Sequence, residues 1–162
     1  MQLSKEKIFS LLATIPDPEI PVITIEDLGV LRDVELTPGG CDVTITPTYS
    51  GCPAMQMIED EIRTLLHANG IDIVNVKMTY SPAWTTDWIS TEAKLKLKQY
   101  GISPPELASL DKRNIMNGSR HIQCPHCNSI NTSMISQFGS TACKSLYRCN
   151  DCLEPFDYFK CH

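Results

Sequence analysis

An α+β domain of element order α-β-β-α-β-α, followed by a small metal-held β module, is the architecture this sequence predicts. Three observations carry it. Apolar residues recur at helical spacing in some segments of the first hundred residues and alternate in others. Proline and glycine clusters punctuate those segments. Six of the eight cysteines fall between Cys124 and Cys161, four of them as two C-x2-C pairs.

The first helix is written in "SKEKIFSLLATI", where Ile8, Leu11, Leu12 and Ile15 share a face and Ser4 is placed to cap it. Pro16 and Pro18 stop it. "DPEIPVITIEDLGVL" then reads as an extended loop in which Asp17 and Asp27 cap backbone groups, Glu19 is solvated and Gly29 allows a tight turn. "VLRDVELT" and "CDVTITPT" flank Pro38-Gly39-Gly40, a hairpin signal, with Val43 and Ile45 on the buried side of the second strand. After Ser-Gly-Cys-Pro comes a helix with the apolar stripe Met55, Ile58, Ile62, Leu65 and Leu66, closed by Asn69-Gly70. "IDIVNVKMTY" supplies a third strand, and the β-α-β passage is right-handed if its strands are parallel. "SPAWTTDWIS" is a loop whose Trp84 and Trp88 read as packing residues, and "TEAKLKLKQYG" is a basic last helix. These elements assign residues 1–102 to an α+β sandwich domain, 103–121 to a linker and 122–162 to the metal-held module.

The bulk numbers narrow the function. The 162-residue chain is 42% hydrophobic and 20% charged, with a net charge of −5, as in an ordinary soluble globular protein. That acidity argues against nucleic acid as a partner. The start lacks the pattern of a secretory signal, and no apolar run approaches a membrane span of about 18 residues, so the expectation is a cytoplasmic protein without a membrane partner. In that reducing compartment a cysteine cluster points to metal before disulfides.

Cys124-x2-Cys127 and Cys149-x2-Cys152 are separated by 21 residues. Each pair aims two thiolates at one ion, and two pairs complete a tetrahedral four-thiolate shell. "TSMISQF", "CKSLYRC" and "PFDYFKC" supply three strands around them, which is the layout of a zinc ribbon. A region of about 40 residues has too little core to fold unaided, so the ion contributes folding free energy. Zinc suits a closed structural shell, with iron in a rubredoxin-like state as the alternative. Cys143 and Cys161 are surplus to this shell. They are either packed in strands or additional ligands of a second thiolate set with His126 or His162.

Cys52 sits alone between Gly51 and Pro53 at a helix start, with no Lys, Arg or His within ten residues on either side. Free N–H groups and the helix dipole favour a thiolate there, and Pro53 suits the first helical position. The competing reading is a small hydrophobe packed in a loop. A Ser-His-Asp hydrolase is excluded by spacing: His67 lies about four turns along the following helix. Phosphate-loop and dinucleotide fingerprints are absent. A Glu-x-x-His pair of the di-iron type is also missing, since Thr64 stands three residues before His67. No residue is assigned a catalytic role.

The stretches "IPDPEIPVITIEDLGVLRDVEL", "TPTYSGCPAMQMIEDEI" and "PAWTTDWISTEAKLKLKQYGI" resemble the small domain of the iron–sulfur assembly factor family. The tail "FGSTACKSLYRCNDCLEPFDYFKCH" and the phrase "PAWTTDWI" resemble more specifically the PaaD (PaaJ) family of phenylacetic acid degradation proteins. The resemblance implies an accessory role beside the multicomponent phenylacetyl-CoA epoxidase. Its subunits would be the partners, above all its iron–sulfur flavin reductase, whose cluster this chain would mature or insert. It also implies that Cys52 is a cluster or iron ligand, with Asp17 and Glu19 as nearby candidates and a transient iron–sulfur cluster or iron as the cargo. It makes Cys143 and Cys161 part of the family pattern. One thiolate does not complete a cluster site, so a homodimer sharing a cluster between two copies of Cys52 is one arrangement. The alternative functions are a stoichiometric structural subunit or scaffold of the epoxidase complex, and a redox thiol at Cys52.

Overall fold

A computed structural model describes residues 4–105 and 122–160. The linker segment 106–121, Cys161 and His162 lie outside the described residues. The element order begins α1 (Lys5–Leu12), β1 (Leu31–Thr37), β2 (Gly40–Ile45), α2 (Ala54–Ala68), β3 (Ile73–Met78) and α3 (Thr91–Tyr100). It continues with β4 (Ile102–Ser103), β5 (Thr132–Ser136), β6 (Lys144–Cys149) and β7 (Pro155–Phe159). The chain divides into two compact units, the first ending at Trp84 and the second beginning at Thr85.

In the first unit the helix signals act as the sequence suggests. Ser4 caps α1 by accepting from the Lys7 N–H at 3.3 Å, and Ile8 and Leu12 are buried. β1 and β2 form an antiparallel hairpin, and β2 pairs with β3 in parallel, giving the sheet order β1-β2-β3. Leu31, Val34, Cys41, Val43 and Ile45 are buried on one face of this sheet. α2 packs Ile58, Ile62 and Leu66 inward, each at most 2% exposed. Burying each such side chain contributes about 1.5–3 kcal/mol relative to leaving it in water. The opposite face carries charge, with Lys77 on Asp42 across the parallel pair and Lys5 on Asp33 at 2.7 Å.

The proline-rich segment before β1 is more than a surface loop. Ile20, Ile23, Ile25 and Leu28 are at most 2% exposed, so it forms one wall of the core. Its backbone is held by Asp17 N–H on the Ile23 carbonyl at 2.8 Å and Ile25 N–H on the Ile15 carbonyl at 3.0 Å. Gly29, at φ 74°, makes the turn into β1. Trp84 is buried and donates its indole N–H to the Leu28 carbonyl at 2.8 Å, which ties the end of this unit back to the segment.

In the second unit, Ser90 caps α3 by accepting from the Ala93 N–H at 3.0 Å. Gly101, at φ 92°, ends the helix and turns the chain directly into β4. β4 pairs in parallel with β7, so the sheet order is β4-β7-β6-β5, with β5, β6 and β7 antiparallel. Residues 85–102, assigned by their element pattern to the first domain, lie in the second unit, α3 among them. Ser103, read as the start of the linker, is tied in by its hydroxyl, which donates to the Gln123 carbonyl at 2.9 Å. Among the described residues, no helix is long and apolar enough to cross a membrane.

Gly40 shows how tightly β2 and β3 are joined. A Cβ there would stand 1.9 Å from the Ile73 carbonyl oxygen. Because that obstacle is backbone, Gly40→Ala should destabilise the fold by about 3 kcal/mol, the upper range for overpacking. Equilibrium urea unfolding measures this, and a midpoint equal to wild type would contradict the close approach.

Candidate metal centre and the Cys52 cleft

The four cysteines of the two C-x2-C pairs meet at one end of the β5-β6-β7 sheet. Their Sγ atoms all lie within 4.8 Å of one another, with Cys127–Cys149 at 3.5 Å and Cys124–Cys152 at 3.7 Å. A tetrahedron with zinc–sulfur bonds of about 2.3 Å has edges of about 3.8 Å, so the arrangement fits one four-coordinate ion. Among the described residues this is the one group of three or more His, Cys, Asp or Glu side chains whose ligand atoms converge in this way.

Local backbone chemistry aims the thiols. The Asn128 N–H donates to the Cys124 carbonyl at 3.0 Å, and the Cys152 N–H to the Cys149 sulfur at 3.5 Å. The residue after each pair takes positive φ, Asn128 at 63° and Leu153 at 67°. Both turns thus use the same backbone device. Asp151 joins them by accepting from the Ser129 hydroxyl and from the Asn131 amide at 2.8 Å. Behind the sulfurs lies an apolar core of Ile122, Tyr147, Phe156 and Tyr158, with Tyr147 stacked on Phe156 at 5.9 Å and edge-on to Tyr158 at 5.8 Å. Cys124 and Cys149 are wholly buried, while Cys127 is exposed.

Four thiols this close do not ionise together without a cation. The Cys152 backbone N–H, and then that of Asp151, stabilise a thiolate on Cys149 and lower its pKa to about 7. Cys152 accepts from the Glu154 backbone, which favours its thiolate. Burial and the neighbouring Cys149, Cys127 and Cys124 thiols outweigh that and push it up to about 12. Cys127 is favoured by the Ser129 backbone but held above its ordinary value by Cys149 and by burial.

Cys143 stands apart from this group. It is buried, its sulfur lies 3.0 Å from the Thr141 hydroxyl, and its carbonyl accepts from the Lys160 N–H at 2.9 Å. His126 is exposed, next to Cys127 in the first turn.

Cys52 belongs to different surroundings. The chain leaves β2 at Ile45, turns through Gly51 at φ 79° and enters α2 at Ala54. The Cys52 N–H donates to the Tyr49 carbonyl at 3.3 Å, and its own carbonyl accepts from the Met55 N–H at 3.2 Å. Pro53 already has helical dihedrals (φ −67°, ψ −21°) but occupies the cap, one residue before the first helical position expected for it. Because β2 and β3 are parallel, this places Cys52 beside their C-terminal ends, the usual position of ligand sites in parallel sheets. It lines an open cleft of about 270 Å³ with Met55, Glu59, Met78 and Tyr80. Cys52 is 9% exposed. Glu59 lies two helical turns beyond Cys52, a spacing that could have marked it, whereas Met78 and Tyr80 arrive through strand pairing.

Asp17 and Glu19 do not line that cleft. Asp17 is buried, and its Oδ1 accepts from the N–H groups of Glu19 at 2.9 Å and Ile20 at 2.8 Å, a turn in which carboxylate replaces water. Asp27 works similarly, accepting from the Thr24 N–H at 3.1 Å while its own N–H donates to the Thr24 hydroxyl at 3.1 Å.

The thiol energetics give a pH dependence. Below about pH 9 the Cys127 and Cys152 thiols keep protons that an ion must displace. Metal affinity should therefore fall as pH falls, by at least about a hundredfold per unit for two protons released. Chelator competition between pH 6 and pH 8 measures this, and an affinity independent of pH would exclude thiolate ligation.

Residues 5–78 match the family described as iron-sulfur cluster assembly protein, and residues 109–160 match the PaaD zinc beta ribbon domain. A protein of Escherichia coli (strain K12), provisionally named as a component of 1,2-phenylacetyl-CoA epoxidase, is 50% identical over 155 residues, covering 96% of this chain and 92% of its own. An Fe-S protein maturation auxiliary factor of Porphyromonas gingivalis (strain ATCC BAA-308 / W83) is 36% identical, covering 58% of this chain and 90% of its own. A DUF59 domain of unknown function from Bacillus anthracis, known as a crystal structure, superposes with a TM-score of 0.52 at 27% identity, covering 57% of this chain and 90% of that one. The chain belongs to the PaaD family, in which an iron–sulfur cluster assembly domain and a zinc β-ribbon share one polypeptide.

Proposed function

We propose that this chain is the accessory protein of a phenylacetyl-CoA epoxidase and matures or inserts the iron–sulfur cluster of its reductase, with Cys52 holding iron or a cluster in transit. The observation that carries this reading is the contrast between the two sulfur sites. One brings four thiols within 4.8 Å of each other and suits a permanent ion. The other offers a single thiol in an open cleft, which suits cargo that arrives and leaves. The names of the Escherichia coli and Porphyromonas gingivalis relatives support the pathway and the cargo respectively.

Zinc at Cys124, Cys127, Cys149 and Cys152 fits this division of labour. A closed four-thiolate shell has no open position for substrate and supplies folding free energy to a module with a small core. The ribbon then serves as a docking module, and the reductase subunit is the partner it serves. At Cys52 the thiol releases its proton as it binds cargo. The remaining ligands come from the client or from Cys52 of a second copy, which makes a homodimer one carrier form.

The test replaces the native copy with Cys52→Ala in cells that express the epoxidase. Iron and acid-labile sulfide in the purified reductase should fall well below the wild-type level. Zinc per accessory chain and its thermal unfolding should stay unchanged. Full cluster occupancy in those cells would remove Cys52 from the mechanism. Fixed-stoichiometry co-purification, with full loading when the chain is absent, would establish the scaffold role instead.

A further inference from the structure

The four-thiol group contains two reactive pairs as well as one tetrahedron. Two close sulfur contacts run between its turns: Cys127 lies 3.5 Å from Cys149, and Cys124 lies 3.7 Å from Cys152. An approach of about 1.5 Å separates each pair from a covalent sulfur–sulfur bond. Each pair also joins a more exposed cysteine to a wholly buried one. Cys127 is exposed and Cys152 half-buried, whereas their respective neighbours Cys149 and Cys124 are sealed from solvent. That division suits a thiolate that meets an oxidant and a neighbour that resolves the product.

We propose that this group is a peroxide-responsive site, at which zinc exchanges for the disulfides Cys127–Cys149 and Cys124–Cys152. The Cys127 thiolate attacks one oxygen of hydrogen peroxide, the O–O bond breaks, and a sulfenic acid and hydroxide form. The Cys149 thiolate then attacks the sulfenic sulfur, expelling a second hydroxide and closing the first disulfide. Cys152 and Cys124 consume a second peroxide in the same way. Two peroxides thus accept four electrons from four thiolates, and zinc is released unchanged in oxidation state. Both disulfides tie the same two turns that the ion ties, across 28 and 22 residues of chain. The ribbon therefore keeps a cross-link when it loses its metal. Disulfides within each C-x2-C pair would leave the turns untied. The inference goes beyond cluster maturation and rests only on the reading of zinc as the resident ion.

The test adds hydrogen peroxide to the full-length, zinc-loaded chain, with zinc measured beforehand and its release read with a chromogenic chelator. Remaining thiols are then blocked with N-ethylmaleimide and the chain is digested with trypsin. Cleavage after Lys144 and Arg148 leaves Cys124 and Cys127 on one peptide and Cys149 and Cys152 on another. Disulfides between the turns link these peptides, whereas disulfides within the turns leave them separate. Cleavage before Asp151 and fragmentation between Cys124 and Cys127 assign each bridge. Zinc should be released in full, with the Cys127–Cys149 and Cys124–Cys152 pairs recovered. Hydrogen exchange in β6 should stay slow in the oxidised, zinc-free chain and become fast in a reduced chain stripped by chelator. Disulfides within the C-x2-C pairs would overturn the proposal, as would zinc retained in excess peroxide. Equal β6 exchange in the oxidised and stripped chains would overturn the retained cross-link. Absence of zinc from the untreated chain would overturn the resident ion and the exchange together, before any peroxide is added. Reductase cluster content plays no part in these readouts, so their outcome is separate from that of the maturation test.

Discussion

The parallel pairing of β2 with β3 is the constraint on which the first unit depends. An antiparallel third strand would need only a tight turn, but a parallel one requires a crossover, and α2 is that crossover. Its start must then lie at the C-terminal ends of both strands, where Thr46–Pro53 makes the connection. Met78 is far from Cys52 and Met55 in sequence, and it lines the same cleft for this reason alone. Gly40 holds the other end of the same pair, where its missing side chain lets the Ile73 carbonyl approach. A cleft at one end of the pair thus rests on a steric fit at the other.

The two units solve the problem of holding sulfur in opposite ways. In the ribbon, backbone N–H groups, the Asp151 link and an aromatic floor fix four thiols before any ion is considered. The cost of crowding is visible in thiols pushed to opposite ends of their range, a conflict that a divalent cation resolves. In the first unit Cys52 lines its cleft beside Met55, Met78, Tyr80 and a single carboxylate, Glu59. A resident ion and a passing one demand these different environments.

Much of this was legible in the sequence because local rules decided it. Ser4 and Asn69–Gly70 mark helix ends that the structure keeps, and the two C-x2-C pairs mark the ribbon. What escaped had no local signature. The segment from Pro16 to Val30 lacks a period of either kind, yet Ile20, Ile23, Ile25 and Leu28 build the core, because capping by Asp17 and Asp27 substitutes for a regular ladder. β4 is two residues long and exists only by virtue of β7. The lining of the Cys52 cleft by Met78 and Tyr80 is a product of strand register, which no window around Cys52 contains. Cys143 was left open between packing and ligation, and its burial beside Thr141 is the tertiary fact that sequence lacked.

The matching positive-φ residues after the two cysteine pairs bear unequal loads. Asparagine visits the left-handed region readily, whereas a leucine there costs about 1–2 kcal/mol. Asn128 therefore sits in a conformation it tolerates, and Leu153 in one it would leave if nothing held it. The Cys149 N–H on the Glu154 carbonyl at 3.0 Å and the Cys152 N–H on the Cys149 sulfur close the turn around it. The strain therefore falls on one side of the four-cysteine group, in the Cys149–Cys152 turn. A pseudo-symmetric site thereby acquires a direction, with a relaxed turn on one side and a strained one on the other.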